Sequence, residues 1–233
     1  MATTILSNEA KTYIDRVIGQ EGGWVLTSNK NDPDGGWTYA GVTARTFGKL
    51  LYDAGQQKYS GPADLNTFKE SLRTESDLVS GSIYNIYYTE FWQPLHFDDV
   101  SFAGRGPLLS CAVNLGLDDA VFVLQRAINL LVEDVFKGIL DYKEKLLKVD
   151  GHLGPKTVTM LKWAATESNT LFKTFLLQEW MRQYINLVQK NAEAWKKYAQ
   201  ALETGQANKS GEPATLRAAN LEGWFNRVEY WRF

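Results

Sequence analysis

Cysteine and histidine are nearly missing from this chain of 233 residues: one Cys, Cys111, and two His, His96 and His152. A lone cysteine excludes an intrachain disulfide framework and every Cys-rich zinc module. The two histidines lie too far apart for the close spacing with which a helix holds a metal. Neither a metal site nor a cofactor is expected. Charge of one sign is also lacking, because 25 Lys and Arg against 27 Asp and Glu leave −2 at pH 7. A dedicated nucleic-acid binder carries a basic face, so no nucleic-acid partner is expected. No apolar run approaches the ~20 residues that cross a bilayer, and no integral membrane segment is expected. Met1 to Lys11 has neither the basic start nor the apolar stretch of a secretory signal, so synthesis in the cytoplasm without one is the expectation.

What is present is an ordinary globular mixture, 44% apolar and 13% aromatic, whose apolar residues recur mostly with helical period. Ala10, Tyr13, Ile14, Val17 and Ile18 fall on one stripe from about Ser7 to Gln20, with Ser7 or Asn8 able to cap the start. Trp24 to Gly41 loses the period and fills with Asn, Asp, Pro, Gly and Thr, which predicts an irregular or hairpin-like region. Helical spacing returns from Thr43 to Ala54, and again from a cap at Thr74 through Ile83, Ile86 and Tyr87 to Trp92, closed by Pro94. A loop from Asp98 to Pro107 divides the chain into residues 1–106 and 107–233. Beyond it, Leu108 to Leu115 and Asp118 to Leu131 form a helix pair around Gly116. Pro155 opens another helix, and a long one runs from about Asn169 to Leu202. The fold class is therefore mainly α, with a small hairpin at most.

Glu21 continues the stripe of the first helix. A carboxylate on a core-facing side must be desolvated, paired or functional. Desolvation and the negative end of the helix dipole both favour the protonated form, as a general acid near neutral pH requires. A glutamate fraying into solvent at the helix end is the plain alternative. Next comes Asp32-Pro33-Asp34-Gly35-Gly36-Trp37-Thr38, in which Gly36 leaves room for a ligand. A second carboxylate facing an acid across a cleft, with a hydroxyl beside it, is the minimum apparatus for hydrolysing a glycosidic bond. Turn bonds made by Asp32 and Asp34 would explain the same residues without function. A calcium loop does not, since Gly36 and Thr43 stand where ligands are needed.

The segments Glu21-Gly22-Gly23-Trp24 and Gly35-Gly36-Trp37-Thr38-Tyr39-Ala40-Gly41-Val42-Thr43 resemble the opening signature of the glycoside hydrolase family 108 muramidases. The resemblance continues through Ile83-Tyr84 to Phe91-Trp92, Ala112-Val113-Asn114-Leu115-Gly116 and Leu124-Gln125. Val149-Asp150-Gly151-His152-Leu153-Gly154-Pro155-Lys156-Thr157 is similar to an element of peptidoglycan-associated domains, and Gly223-Trp224 to Val228 is similar to the family's terminal segment. These segments span most of the chain in one order. The resemblance implies a lysozyme-like helical fold, with the hairpin or irregular region carrying the active site. Residues 1–106 would be catalytic, residues 107–233 a helical peptidoglycan-binding region, and the two would pack as one monomeric unit.

The resemblance implies that Glu21 is the general acid, Thr38 the motif threonine, and bacterial peptidoglycan the partner. The family's aspartate would fall at Pro33, so Asp32 or Asp34 takes its place. Asp32 is preferred as the second catalytic carboxylate, because its distance from Thr38 resembles the Glu, Asp and Thr arrangement of phage-type lysozymes. Trp24, Asp34, Gly36, Trp37, Tyr39 and Asn114 are the expected substrate contacts. Trp92, Trp163, Trp180 and Trp195 fall on helical stripes and are expected in the core. Asp150 and Gly151 fit either a wall contact or the turn that starts the next helix. Work on the cell wall without a signal peptide implies release through a holin pore or a secretion machine. The rival readings are a non-catalytic wall-binding module and an amidase or endopeptidase. A cysteine peptidase built on Cys111 and His152 is disfavoured by the apolar run around Cys111.

Overall fold

The computed structural model describes residues 6–28, 37–43, 65–74, 76–137, 142–203 and 226–232. Helix α1 (Asn8–Gln20) begins where Ser7, in extended backbone, accepts a hydrogen bond from the Ala10 amide at 3.1 Å. Its stripe of Ala10, Ile14, Val17 and Ile18 is fully buried. Three short strands follow, β1 (Leu26–Ser28), β2 (Trp37–Tyr39) and β3 (Val42–Thr43), forming one antiparallel sheet in that order. The β2–β3 connection is the two-residue turn Ala40-Gly41, with φ of +51° and +76°. Positive φ at both central residues is the turn whose twist matches that of a hairpin.

Helix α2 (Leu65–Thr74) is followed by α3 (Ser76–Tyr87), which runs on into a π-helical turn, Tyr88–Trp92. The expectation that Thr74 caps a helix is corrected here. Thr74 is the last residue of α2, and its hydroxyl donates back to the Glu70 carbonyl at 2.9 Å. The helix expected from Thr43 to Ala54 lies outside the described residues, apart from Thr43 itself, which is in β3. Asp98 accepts from Tyr88 Oη and Trp92 Nε1, both at 2.8 Å, and so ties the turn after the π-helix to the helix before it. Trp92 is 1% exposed and packs edge-on to Phe97 at 5.0 Å.

The chain forms two compact units, residues 1–99 and 100–233. In the second, α4 (Arg105–Leu115) and α5 (Leu117–Phe136) are separated by Gly116. Nearly every side of α4 is buried from Arg105 to Ala112, as befits a helix apolar all round. A 3₁₀ turn (Tyr142–Lys145), α6 (Pro155–Glu167) and the long α7 (Asn169–Glu203) complete the unit, with α5 and α7 packed along each other. Phe172, Leu176, Trp180 and Tyr184 give α7 its fully buried face. A helical segment at 226–230 carries Val228 and leads to Trp231, both buried, and the Trp231 ring lies against Gly106. The architecture is mainly α with a small sheet, as a lysozyme-like helical fold requires.

The Asp150-Gly151 segment is organised by one buried side chain. Gln125, 1% exposed, accepts from the amides of Asp150 (2.9 Å) and Gly151 (3.0 Å) and donates to Asp150 Oδ1 (3.0 Å) and the His152 carbonyl (3.1 Å). Gly151 stands at φ +74°, where the ring of Phe122 leaves 2.9 Å to any added Cβ. The Gln125 bonds hold the Asp150 carboxyl below its ordinary range, aided by the His152 amide. The motif thus builds the turn that starts α6.

Candidate active site

Helix α1 ends one residue before Glu21, which caps it with φ −84° and ψ 12°. The Glu21 amide donates to Val17 O and Ile18 O, both at 3.1 Å, and the Gly23 amide to Ile18 O at 2.9 Å. Glu21 is therefore fixed at its backbone, while its side chain is half-buried rather than sunk in the core. That side chain lies on the β2–β3 turn. A Cβ built on Gly41 would meet Glu21 Cβ at 3.1 Å and Cγ at 3.4 Å, and Tyr87 Oη at 2.7 Å. Only a residue without a side chain, free to adopt positive φ, fits between them. Tyr87, 2% exposed on α3, donates its hydroxyl to the Ala40 carbonyl at 2.8 Å. Burial pushes the Tyr87 phenol well up, and the charge of Glu21 pushes it the same way. Tyr87 thus pins the turn that supports Glu21.

Thr38 is the central residue of the central strand. It pairs with Thr27 of β1 on one side and Thr43 of β3 on the other. Directly opposed residues share a face, so three threonines cross the sheet in one row. The hydroxyls of Thr27 and Thr38 are hydrogen-bonded at 2.6 Å.

Trp24, Tyr39 and Tyr84 form an aromatic group just after α1. The Trp24 ring is 6.0 Å from Tyr39, edge-on, and 5.3 Å from Tyr84. All three are half-buried, so their faces are partly open. Tyr84 Oη donates to Asp15 Oδ1 at 2.6 Å, and burial with that bond raises its phenol. Tyr39 is raised by burial alone. Half-open aromatic faces are suited to stacking on sugar rings.

The structure brings Glu21 to the sheet turn, Thr38 into the sheet, and Trp24 and Tyr39 together. Trp37, expected to contact sugar, is 2% exposed and its ring serves the core. Asp32, Asp34 and Gly36 lie outside the described residues. Asn114 sits on α4 in the second unit, where its Nδ2 donates to the Ser110 carbonyl at 3.1 Å. Three residues were not assigned to the site from the sequence: Thr27, Tyr84 and Tyr87. Tyr87 carried a usable signal, because a tyrosine on a buried stripe needs a partner for its hydroxyl.

Cys111 is fully buried, and burial together with the charge of Asp119 raises its thiol well above the ordinary value. Such a thiol is not a nucleophile near neutral pH. Trp92 and Trp180 are core residues as expected. Trp163 is half-buried and stacks on Phe136 at 5.7 Å. The side chain of Trp195 lies outside the described residues. Among the described residues no three His, Cys, Asp or Glu side chains gather as metal ligands, and no helix is long and apolar enough to cross a membrane.

Comparison with known proteins gives three results. Residues 14–116 match the family described as glycosyl hydrolase 108, and residues 119–229 match one described as a predicted peptidoglycan domain. The first match ends after α4, a helix whose contacts place it in the second compact unit. A solved structure described as that of Brucella abortus SagA is similar at a TM-score of 0.51 and 19% identity, covering 96% of this chain and 91% of that one. At that identity the likeness is one of fold. No curated protein matches in sequence.

Proposed function

We propose that this chain, whose residues 14–116 match the glycosyl hydrolase 108 family and whose residues 119–229 match a predicted peptidoglycan domain, is an N-acetylmuramidase. The two matches support a glycoside hydrolase acting on peptidoglycan. The bond it cuts is the proposal: the β-1,4 link between N-acetylmuramic acid and N-acetylglucosamine. Glu21 protonates the leaving oxygen. Asp32 stabilises the positive charge that develops at the sugar, or orients water on its other face, and Thr38 holds that water. Trp24 and Tyr39 receive the sugar rings. The wall is the site of action, reached through a holin pore or a secretion machine.

One observation supports this reading above the others. The Glu21 stem rests on Gly41, in a turn pinned by Tyr87, and the strand leading into that turn carries Thr38. A proton donor must be held still relative to the bond it cleaves, and here the helix cap and the turn both hold it.

The test is digestion of purified sacculi by the wild type and by Glu21→Gln, with the released ends identified by mass spectrometry. Reducing muramic acid ends are expected from the wild type, and a fall of about a thousandfold in their rate of release from the variant. New amino termini or cleaved stems would instead indicate an amidase or endopeptidase. Equal binding without release in both proteins would leave a wall-binding module.

A further inference from the structure

We propose that the groove between α5 and α7 binds a zwitterionic amino-acid centre of the peptidoglycan stem peptide, an ammonium and a carboxylate on one carbon. This rests on the peptidoglycan reading above and adds a second recognition site to it. The groove encloses about 370 Å³ and is lined by Asp119, Phe122, Arg126, Gln183 and Lys190 among others. Its charges are arranged in an unusual way. Asp119 and Arg126 both stand on α5, but they meet through Gln183 of α7. Gln183 Nε2 donates to Asp119 Oδ1 at 2.8 Å, and Arg126 Nη1 donates to Gln183 Oε1 at 2.8 Å.

An aspartate and an arginine in direct contact form a two-bond pair that satisfies both. Here the amide of Gln183, 7% exposed, stands between them, giving one bond to Asp119 and taking one from Arg126. A guanidinium has five donors and a carboxylate about four acceptor positions, so both keep capacity for a ligand. Their orientation is fixed from behind, by Gln183 and by the Phe122 ring 5.9 Å from the Arg126 guanidinium. A ligand with one charge would answer one of the two groups. A zwitterionic centre answers both, its ammonium on Asp119 and its carboxylate on Arg126. Lys190 tips the balance of the groove towards positive. The stem peptide matches that balance, since it carries further carboxylates beside its diamino acid.

The experiment titrates the full chain by calorimetry with a synthetic stem tripeptide ending in a free diamino-acid zwitterion. The same peptide with that amine acetylated, and a peptide-free glycan tetrasaccharide, serve as controls. The free peptide is expected to bind about tenfold more tightly than the acetylated one, the size of one charge-assisted hydrogen bond. Asp119→Asn should abolish the preference for the free amine and retain the carboxylate contribution. Arg126→Gln should weaken both peptides alike. A wild type indifferent to acetylation, or an Asp119→Asn variant that keeps the preference, overturns the proposal. Failure here is separable from failure of the muramidase reading. A wild type that cleaves sacculi through Glu21 yet ignores the peptide sinks only this inference. A chain that binds the peptide while Glu21→Gln cleaves normally sinks only the other.

Discussion

Glycine 41 is where the candidate site depends most on a single residue. Its φ of +76° costs another L-residue about 1–2 kcal/mol. A Cβ there would also press on Tyr87 Oη and on the stem of Glu21. The two can relieve the contact only by breaking the Tyr87 bond to Ala40 or by turning the Glu21 carboxyl away. Gly41→Ala is therefore expected to lose stability by roughly 2–3 kcal/mol, and to lose turnover well beyond the fraction unfolded. Thermal melting beside sacculus digestion at a temperature where the variant is folded checks this. Normal turnover in the folded variant would mean that the turn does not position Glu21.

Among the elements, the sheet departs furthest from what sequence alone conveys. The Thr27–Thr38 hydroxyl bond joins residues on either side of the loop between β1 and β2, so their register could not be counted along the chain. If Thr38 holds the attacking water, Thr27 is the residue that orients its hydroxyl. Thr27→Val keeps the shape and removes the partner. It is expected to lower kcat about tenfold with KM nearly unchanged, while Thr27→Ser restores the rate. Equal falls in the valine and serine variants would point to strand packing instead. The helices were far more legible. The stripes of α1 and α3, the Gly116 break and the Pro155 start can be read from apolar spacing and caps, because burial sets that spacing directly. Helix α2 was not, since a threonine can cap forwards or bond back to the carbonyl four residues earlier. Thr74 does the second. Strand alternation puts Trp37 and Tyr39 on one face but says nothing of what covers it, so Trp37 read as a sugar contact and proved to be core. The apolar stripe and the family pattern both single out Glu21, and the pattern singles out Thr38, whereas the Tyr87 bond to the turn beside Glu21 depends on α3 reaching a carbonyl far away in sequence.

At the scale of the whole molecule, the buried acids set how folding responds to alkali. The Cys111 thiol is raised well above its ordinary 9.0, and the Tyr87 phenol above its ordinary 10.0, burial being the larger cause in each. A raised folded value means that the native state keeps a proton the unfolded chain gives up. The stability this represents is complete below the ordinary value and is lost as pH climbs through the folded one. Cys111 acts first, because its ordinary value is the lower. Unfolding free energy should therefore begin to fall near pH 9, at a slope approaching about 1.4 kcal/mol per pH unit for one proton, and steepen above pH 10 when Tyr87 and the other raised phenols, Tyr84, Tyr39 and Tyr88, join. Cys111→Ala removes the thiol from a fully buried site, and its stability should stay level until about pH 10 before falling with the raised phenols. Denaturant melts of both proteins at half-unit steps from pH 8 to pH 11 would show the two onsets about one unit apart. Coincident onsets would mean that the thiol gains access to water before the unit around it unfolds.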